Sequence, residues 1–152
     1  MDRVQKAVDL FKSGCNCAQA IVCAYSDLFD IDENTVMRMS EGFGGGMGRM
    51  RLTCGAVSGM AMLAGMKESR GIPKDIPTRT KVYGVIQNMA KEFEEKNGSV
   101  ICGDLLGVTK PKDTGAAPTE RNNEFYKKRP CIGCIEDCAR LVEKYLIDES
   151  GL

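Results

Sequence analysis

The sequence predicts an all-α fold, a single-domain helical bundle of about six to eight helices. Three observations carry this reading. Apolar residues recur at three- and four-residue spacing along most of the chain. No segment alternates apolar and polar residues as a half-buried strand would. Residues 54–66 are apolar on every side, which puts that helix at the centre of the bundle.

Val4, Val8 and Phe11 mark one face of a first helix, which Gly14 closes. A second begins at about Cys17, with Ala18, Ile21, Val22, Tyr25, Leu28 and Phe29 at helical spacing. Asp32 is placed to cap a third, carrying Val36 and Met39. Glu41 to Gly48 holds too many glycines for a regular helix, since each costs about 1 kcal/mol relative to Ala. Thr53 is the expected cap of the 54–66 helix, where Gly55 and Gly59, one turn apart, admit a close neighbour. After Pro77 a long amphipathic helix turns Val82, Ile86, Met89 and Phe93 inward and ends at Asn97-Gly98. Ser99 caps a short turn with Cys102, Leu105 and Leu106. Residues 108–124, rich in Pro, Lys, Thr and Asn, read as a surface loop. The last helix lines up Cys138, Leu141, Val142, Tyr145 and Leu146.

The chain has eight cysteines (15, 17, 23, 54, 102, 131, 134 and 138) and no histidine. Without imidazole there is no Cys–His dyad and no mixed Cys/His zinc site, so the chemistry is that of sulfur. A chain of 152 residues buries a core without disulfide staples. The first six residues lack an apolar signal region, and the longest nearly apolar run, 56–66, is too short to span a bilayer. The expectation is a cytoplasmic protein with mostly reduced thiols and no membrane span. Lys+Arg and Asp+Glu balance at 21 each, and there is no Trp, so nothing points to nucleic acid.

Cys17, Cys54 and Cys102 each fall at an expected helix start, where free amides and the helix dipole favour the thiolate. Cys138 lies on the inward stripe of the last helix. Four sulfurs from four helices suit an iron–sulfur cluster or a thiol relay. Any one of them alone also packs as a small hydrophobe, and Cys23 is read as only that. Cys131 and Cys134, spaced C-x2-C before x3-Cys138, are secondary metal candidates; Pro130 and Gly133 predict an irregular first turn there. Cys15-x-Cys17 is a weaker pair.

The glycine stretch has no preceding strand and no following Gly-Lys-Ser/Thr, which excludes a phosphate-binding loop. Its expected role is a tight turn beside Cys54, with the backbone of Gly44, Gly45 and Gly46 near the site as a nest of donors. Met47, Met50, Met60, Met62 and Met66 are core filler before they are copper ligands. Glu41, Arg49 and Arg51 flank the loop and are placed to contact an acidic ligand, although solvated charge is the simpler account.

Five blocks occur in order: Phe11-x2-Gly14-x-Asn16-Cys17-Ala18-Gln19-Ala20, Gly42-Phe43-Gly44-Gly45-Gly46-Met47-Gly48, Cys54-Gly55-Ala56-Val57-Ser58-Gly59, Cys102-x2-Leu105-Leu106-Gly107 and Cys138-x3-Val142. From about residue 3 to 147 they resemble the redox-active proteins named for their C_GCAxxG_C_C cysteine pattern. The resemblance carries over Cys17, Cys54, Cys102 and Cys138 and implies a small helical redox domain, often encoded near transporters or oxidoreductases. It extends to the non-haem portion of split-Soret-type cytochromes, where an iron–sulfur centre is expected. The absence of C-x-x-C-H excludes covalent c-type haem. Cys15, Cys23, Cys131 and Cys134 are extras to the pattern.

Three functions follow as expectations. The first is electron transfer or redox sensing on a cluster held by Cys17, Cys54, Cys102 and Cys138. The second is a metal-free thiol–disulfide oxidoreductase with Cys17 or Cys54 as the attacking thiolate. The third is a zinc or copper binding protein. The implied partner is a redox protein or a transporter-associated oxidoreductase. The sequence assigns no oligomeric state.

Overall fold

The computed structural model describes residues 2–107 and 115–147. Among them are eight α-helices: α1 (Arg3–Lys12), α2 (Cys17–Tyr25), α3 (Glu33–Ser40), α4 (Gly55–Glu68), α5 (Ile76–Asn97), α6 (Cys102–Leu106), α7 (Asn123–Lys128) and α8 (Cys131–Leu146). Short 3-10 turns occupy Ser26–Phe29 and Glu41–Phe43. No strand occurs among the described residues, and a single antiparallel bridge joins Thr53 to Ile101. The fold is all-α. No described helix is long and apolar enough to cross a membrane.

The caps explain most helix starts. The side chains of Asp2, Asp32, Asp75 and Asn122 each accept from a backbone amide three residues on. Asn16 goes further: its side chain accepts from the Gln19 amide while the Gln19 side chain accepts from the Asn16 amide. That reciprocal capping box starts α2. At the far end of α5, Gly98 takes a φ of 90° and ends the helix.

Helix α4 lies between α2, α5 and α8. Gly55, Ala56, Val57, Gly59, Met60, Leu63 and Ala64 are buried. Its other flank is more open: Ala61, Met62 and Gly65 are half-buried and Met66 is exposed. The helix enclosed on every side is α2, where each residue from Ala18 to Tyr25 is buried. Small residues allow this. A Cβ on Gly55 would stand 3.1 Å from the Ala18 nitrogen, and one on Gly59 would stand 2.9 Å from Ile21 Cβ. The two helices therefore meet almost backbone to backbone.

The structure changes several sequence expectations. Cys54, not Thr53, is the N-cap of α4; Thr53 is exposed, and its backbone is spent on the bridge to Ile101. Met39 points outward, at 68% exposure, while Val36 of the same helix is buried. Leu28 and Phe29 belong to the 3-10 turn after α2 rather than to α2 itself. The first turn of α8 is regular, because Pro130 occupies the cap, where its missing N–H costs nothing. Ser99 is not the cap of α6, but its hydroxyl accepts from the Ile101 amide and donates to Asp104. Of the expected 108–124 loop, residues 108–114 lie outside the described residues, and from Asn123 the chain is helical.

Helix α8 is held in register from both ends. The buried Tyr25 hydroxyl donates to the Ala139 carbonyl at 3.2 Å and to Glu143 at 3.0 Å. Lys96 and Asn97, at the end of α5, both donate to Asp137. These contacts fix where the α8 cysteines face.

Candidate functional site

The site grows from a clasp between two distant segments. The Cys54 amide donates to the Val100 carbonyl at 2.8 Å, and the Cys102 and Gly103 amides donate to the carbonyls of Leu52 and Arg51. Together with the Thr53–Ile101 bridge, this draws Cys54 and Cys102 to one end of the bundle. Helix α2 delivers Cys17 alongside, because Gly55 leaves no side chain between α4 and Cys17; a Cβ there would meet Cys17 Cβ at 3.2 Å. Helix α8 supplies Cys131 and Cys134, one turn apart.

These five thiols, from four helices, line a cavity of about 620 Å³. Its walls also include Asn16, Glu41, Arg49, Arg51, Arg129 and the backbone of Gly44, Gly45 and Gly46. Cys138 is fully buried and does not line the cavity; it lies one turn behind Cys134, close enough to raise that thiol. All eight cysteines are free thiols.

The thiols form two donor–acceptor pairs. Cys134 donates to Cys54, and this, with the Val57 and Ala56 amides at the start of α4, holds the Cys54 thiol down to about 7. Cys134 is pushed up by the same contact and by burial. In the second pair Cys17 donates to Cys131. That contact lowers Cys131, with Arg129 and Arg121 assisting, and raises Cys17 well above its ordinary value. Burial raises Cys102, offset in part by Arg51, whose guanidinium donates to its Sγ at 3.7 Å. Burial also raises Cys138.

Only one of the three cysteines expected at helix starts thus gains a lowered thiol. In α2 the capping box already satisfies the Gln19 amide, and Cys17 serves as donor to Cys131. In α6 the amides of Cys102 and Gly103 are spent on the clasp, and burial raises the sulfur. Cys54 succeeds because Cys134 donates to it, with the Val57 and Ala56 amides assisting.

The glycine stretch borders the cavity through Gly44, Gly45 and Gly46, while its later amides are committed elsewhere. Amides from Met47 to Leu52 are spent on the carbonyls of residues 42–47, in a run of left-handed turns. Gly46 has a separate function. A Cβ there would stand 2.7 Å from Cys102 Cβ, so its absence lets the loop lie against the site.

The sequence marks Arg49 and Arg51 only as flanks of the glycine loop, and Arg121 and Arg129 not at all. Arg51 is buried at 7% exposure beside Cys102, and Arg129 faces Cys131. Arg49 donates to the Gly115 carbonyl and to Thr119, tying residues 115–119 over the cavity, where Ala116, Pro118 and Thr119 line it. Arg121 lies over the Phe11 and Phe125 rings and donates to the carbonyls of Phe11 and Cys15. No spacing in the sequence marks any of these contacts.

Among the described residues no three His, Cys, Asp or Glu side chains converge on a point that one metal ion could occupy. The thiols stand around the cavity wall instead. Five soft donors with cationic groups nearby suit an anionic, thiolate-ligated group larger than one ion.

A family model described as "Putative redox-active protein (C_GCAxxG_C_C)" matches residues 15–145. The chain belongs to that family of redox-active proteins. A protein of Archaeoglobus fulgidus, named only "Uncharacterized protein", is 30% identical over 108 residues, covering 66% of this chain and 72% of that one. No solved structure matches the chain.

Proposed function

We propose that this protein carries electrons, or senses redox state, through an iron–sulfur cluster seated in the five-thiol cavity. The observation that supports it is the cavity wall: thiols from α2, α4, α6 and α8 around one space of about 620 Å³, with no imidazole in the chain. Cys17, Cys54, Cys102 and one of Cys131 or Cys134 are the ligands this reading selects, with Cys138 packed behind them. When bound, such a cluster supplies one-electron chemistry. The chain's own part is to present thiolates, exclude water and balance charge. Cys54 enters already lowered by the Cys134 donor and the first amides of α4, and Arg51 and Arg129 offset the charge the thiolates bring. Spread thiols favour a cluster over a zinc or copper ion in this cavity.

A second reading rests on the two thiol pairs. Cys54/Cys134 and Cys17/Cys131 each place a lowered thiol against a raised one. Oxidation of either pair to a disulfide releases two protons and two electrons to a partner disulfide or other two-electron acceptor. Anaerobic purification, reconstitution with iron and sulfide, and a visible spectrum separate the two readings. Broad charge-transfer absorption with stoichiometric iron and sulfide supports the cluster. A colourless protein that yields one defined disulfide, mapped to either pair, supports the dithiol.

A further inference from the structure

A second group of sulfurs lies outside the cavity, where Cys15, Cys23 and Met37 meet. Cys15 Sγ is 3.8 Å from Met37 Sδ, and Cys23 Sγ is 4.0 Å from the same atom. The two thiols also sense each other, since Cys15 contributes to the raised Cys23 thiol. Three sulfurs bound to one ion in a plane, at the roughly 2.3 Å of a metal–thiolate bond, stand about 4.0 Å apart. The two edges to Met37 Sδ already have about that length. We propose that Cys15, Cys23 and Met37 form a three-coordinate site for Cu(I), separate from the cavity.

The donor set selects the ion. A thioether is a poor ligand for zinc and a good one for Cu(I), which accepts three-coordinate sulfur sites. The scaffold holds the thioether in place before metal arrives. Gln19 donates to the Met37 carbonyl at 3.1 Å and to Glu41 at 2.8 Å, and the Ser40 hydroxyl reaches the same carbonyl. Arg121 fixes the Cys15 carbonyl at 2.8 Å. Cys23 is 1% exposed, whereas Cys15 is only half-buried, so the ion enters at Cys15 and passes inward by ligand exchange. Binding replaces two thiol protons with one Cu(I), and both protons go to solvent. Around the site Arg121 and Lys6 are the cationic groups, and Glu33 and Glu41 the anionic ones.

The test uses the full chain, selenomethionine-labelled, reduced and saturated with Cu(I) under anaerobic conditions. X-ray absorption at the copper edge is expected to show a copper–selenium contact. That contact must vanish in Met37→Leu and persist in Met47→Leu, which alters a methionine of the glycine loop. Cys15→Ser, at the half-buried position, is expected to bind one copper fewer at saturation, with circular dichroism unchanged. No selenium in the copper shell of the wild-type chain, or selenium that persists in Met37→Leu, overturns the proposal. A Cys15→Ser variant with unchanged copper content overturns it too, leaving three sulfurs that merely pack together. None of these outcomes depends on iron in the cavity.

Discussion

Helix α2 divides two sulfur environments, and they differ in everything except sulfur. On the cavity side, Cys17 meets thiols from α4, α6 and α8, two of which are lowered by donors, with Arg51 and Arg129 close by. On the α3 side, Cys15 and Cys23 meet a thioether, and burial raises both. The first environment prepares negative charge before any ligand arrives; the second stores neutral thiols until a soft ion displaces their protons. Cysteine count alone would treat the two as equal. Donors, arginines and neighbouring backbone amides make the difference.

The largest expected effect breaks the comparison outright. Cys54→Ser is expected to abolish iron binding and the redox signal, while Cys23→Ser leaves both nearly intact. Serine keeps the size but is a far poorer ligand for soft metals and forms no disulfide. Iron content and midpoint potential of each variant, with helicity checked by circular dichroism, provide the readout. Equal loss in both variants would show that general destabilisation, not the site, governs the signal.

Next in size is ionisation. With Cys54 at about 7 and Cys23 at about 11, Cys54 is half thiolate at pH 7. Cys23 is then ionised in only about one molecule in ten thousand. The sign follows for each. The Cys54 thiol is lowered from 9.0, so its contribution to stability is present above pH 9 and lost as pH falls through 7. The Cys23 thiol is raised from 9.0, so its contribution is present below pH 9 and lost as pH rises through 11. Alkylation of the metal-free protein, followed residue by residue with mass spectrometry, should give Cys54 a midpoint near 7. A Cys54 midpoint at or above 9 would remove the distinction between the two environments.

Gly55→Ala tests the cavity side without touching a sulfur. The added Cβ would stand 2.9 Å from the Phe43 carbonyl oxygen and 3.1 Å from the Ala18 nitrogen, both backbone atoms that cannot swing away. The expected cost is about 1–3 kcal/mol, read as a lower denaturant midpoint. Iron content should fall as Cys17 is pushed from the wall, while any copper bound at Cys15, Cys23 and Met37 stays. Unchanged stability would mean that α2 and α4 do not need their close approach.

Much of this was legible in the sequence, and the exceptions have physical causes. Periodicity gave the helices, and Gly55 and Gly59 gave a close approach by a neighbouring backbone, which the structure identifies as α2. The apolar run put α4 at the centre of the bundle, although α2, buried from Ala18 to Tyr25, is the more enclosed helix. Thr53 was misread as a cap because a local rule cannot see the bridge to Ile101, 48 residues away. The same blindness hid the clasp that consumes the Cys102 and Gly103 amides, and spacing could not show the burial that raises Cys102. Cys131 and Cys134 looked secondary because spacing shows that two thiols share a face, not which space that face borders. Arg51 read as solvated charge for the same reason. Cys23 read as core, and it is buried; what spacing could not show is that Met37 brings it within reach of Cys15.

The smallest effect has the opposite sign. Gly133 sits between Cys131 and Cys134 in α8, is exposed, and a Cβ there would meet nothing within 4 Å. Its φ is not positive, so alanine fits the backbone without strain. Gly133→Ala should therefore stabilise the protein by up to about 0.5–1 kcal/mol, through lower unfolded-chain entropy and better helix propensity. Iron content, the Cys54 midpoint and copper binding should not change, because no wall atom moves. A stabilised chain with a weakened iron site would show something more useful: that the first turn of α8 must loosen for Cys131 and Cys134 to close on a cluster. Thermal unfolding of the metal-free and reconstituted forms distinguishes the cases. A rigid wall gives the same upward shift in both, whereas a hinged one gives a gain in the metal-free form that shrinks or reverses once iron is bound.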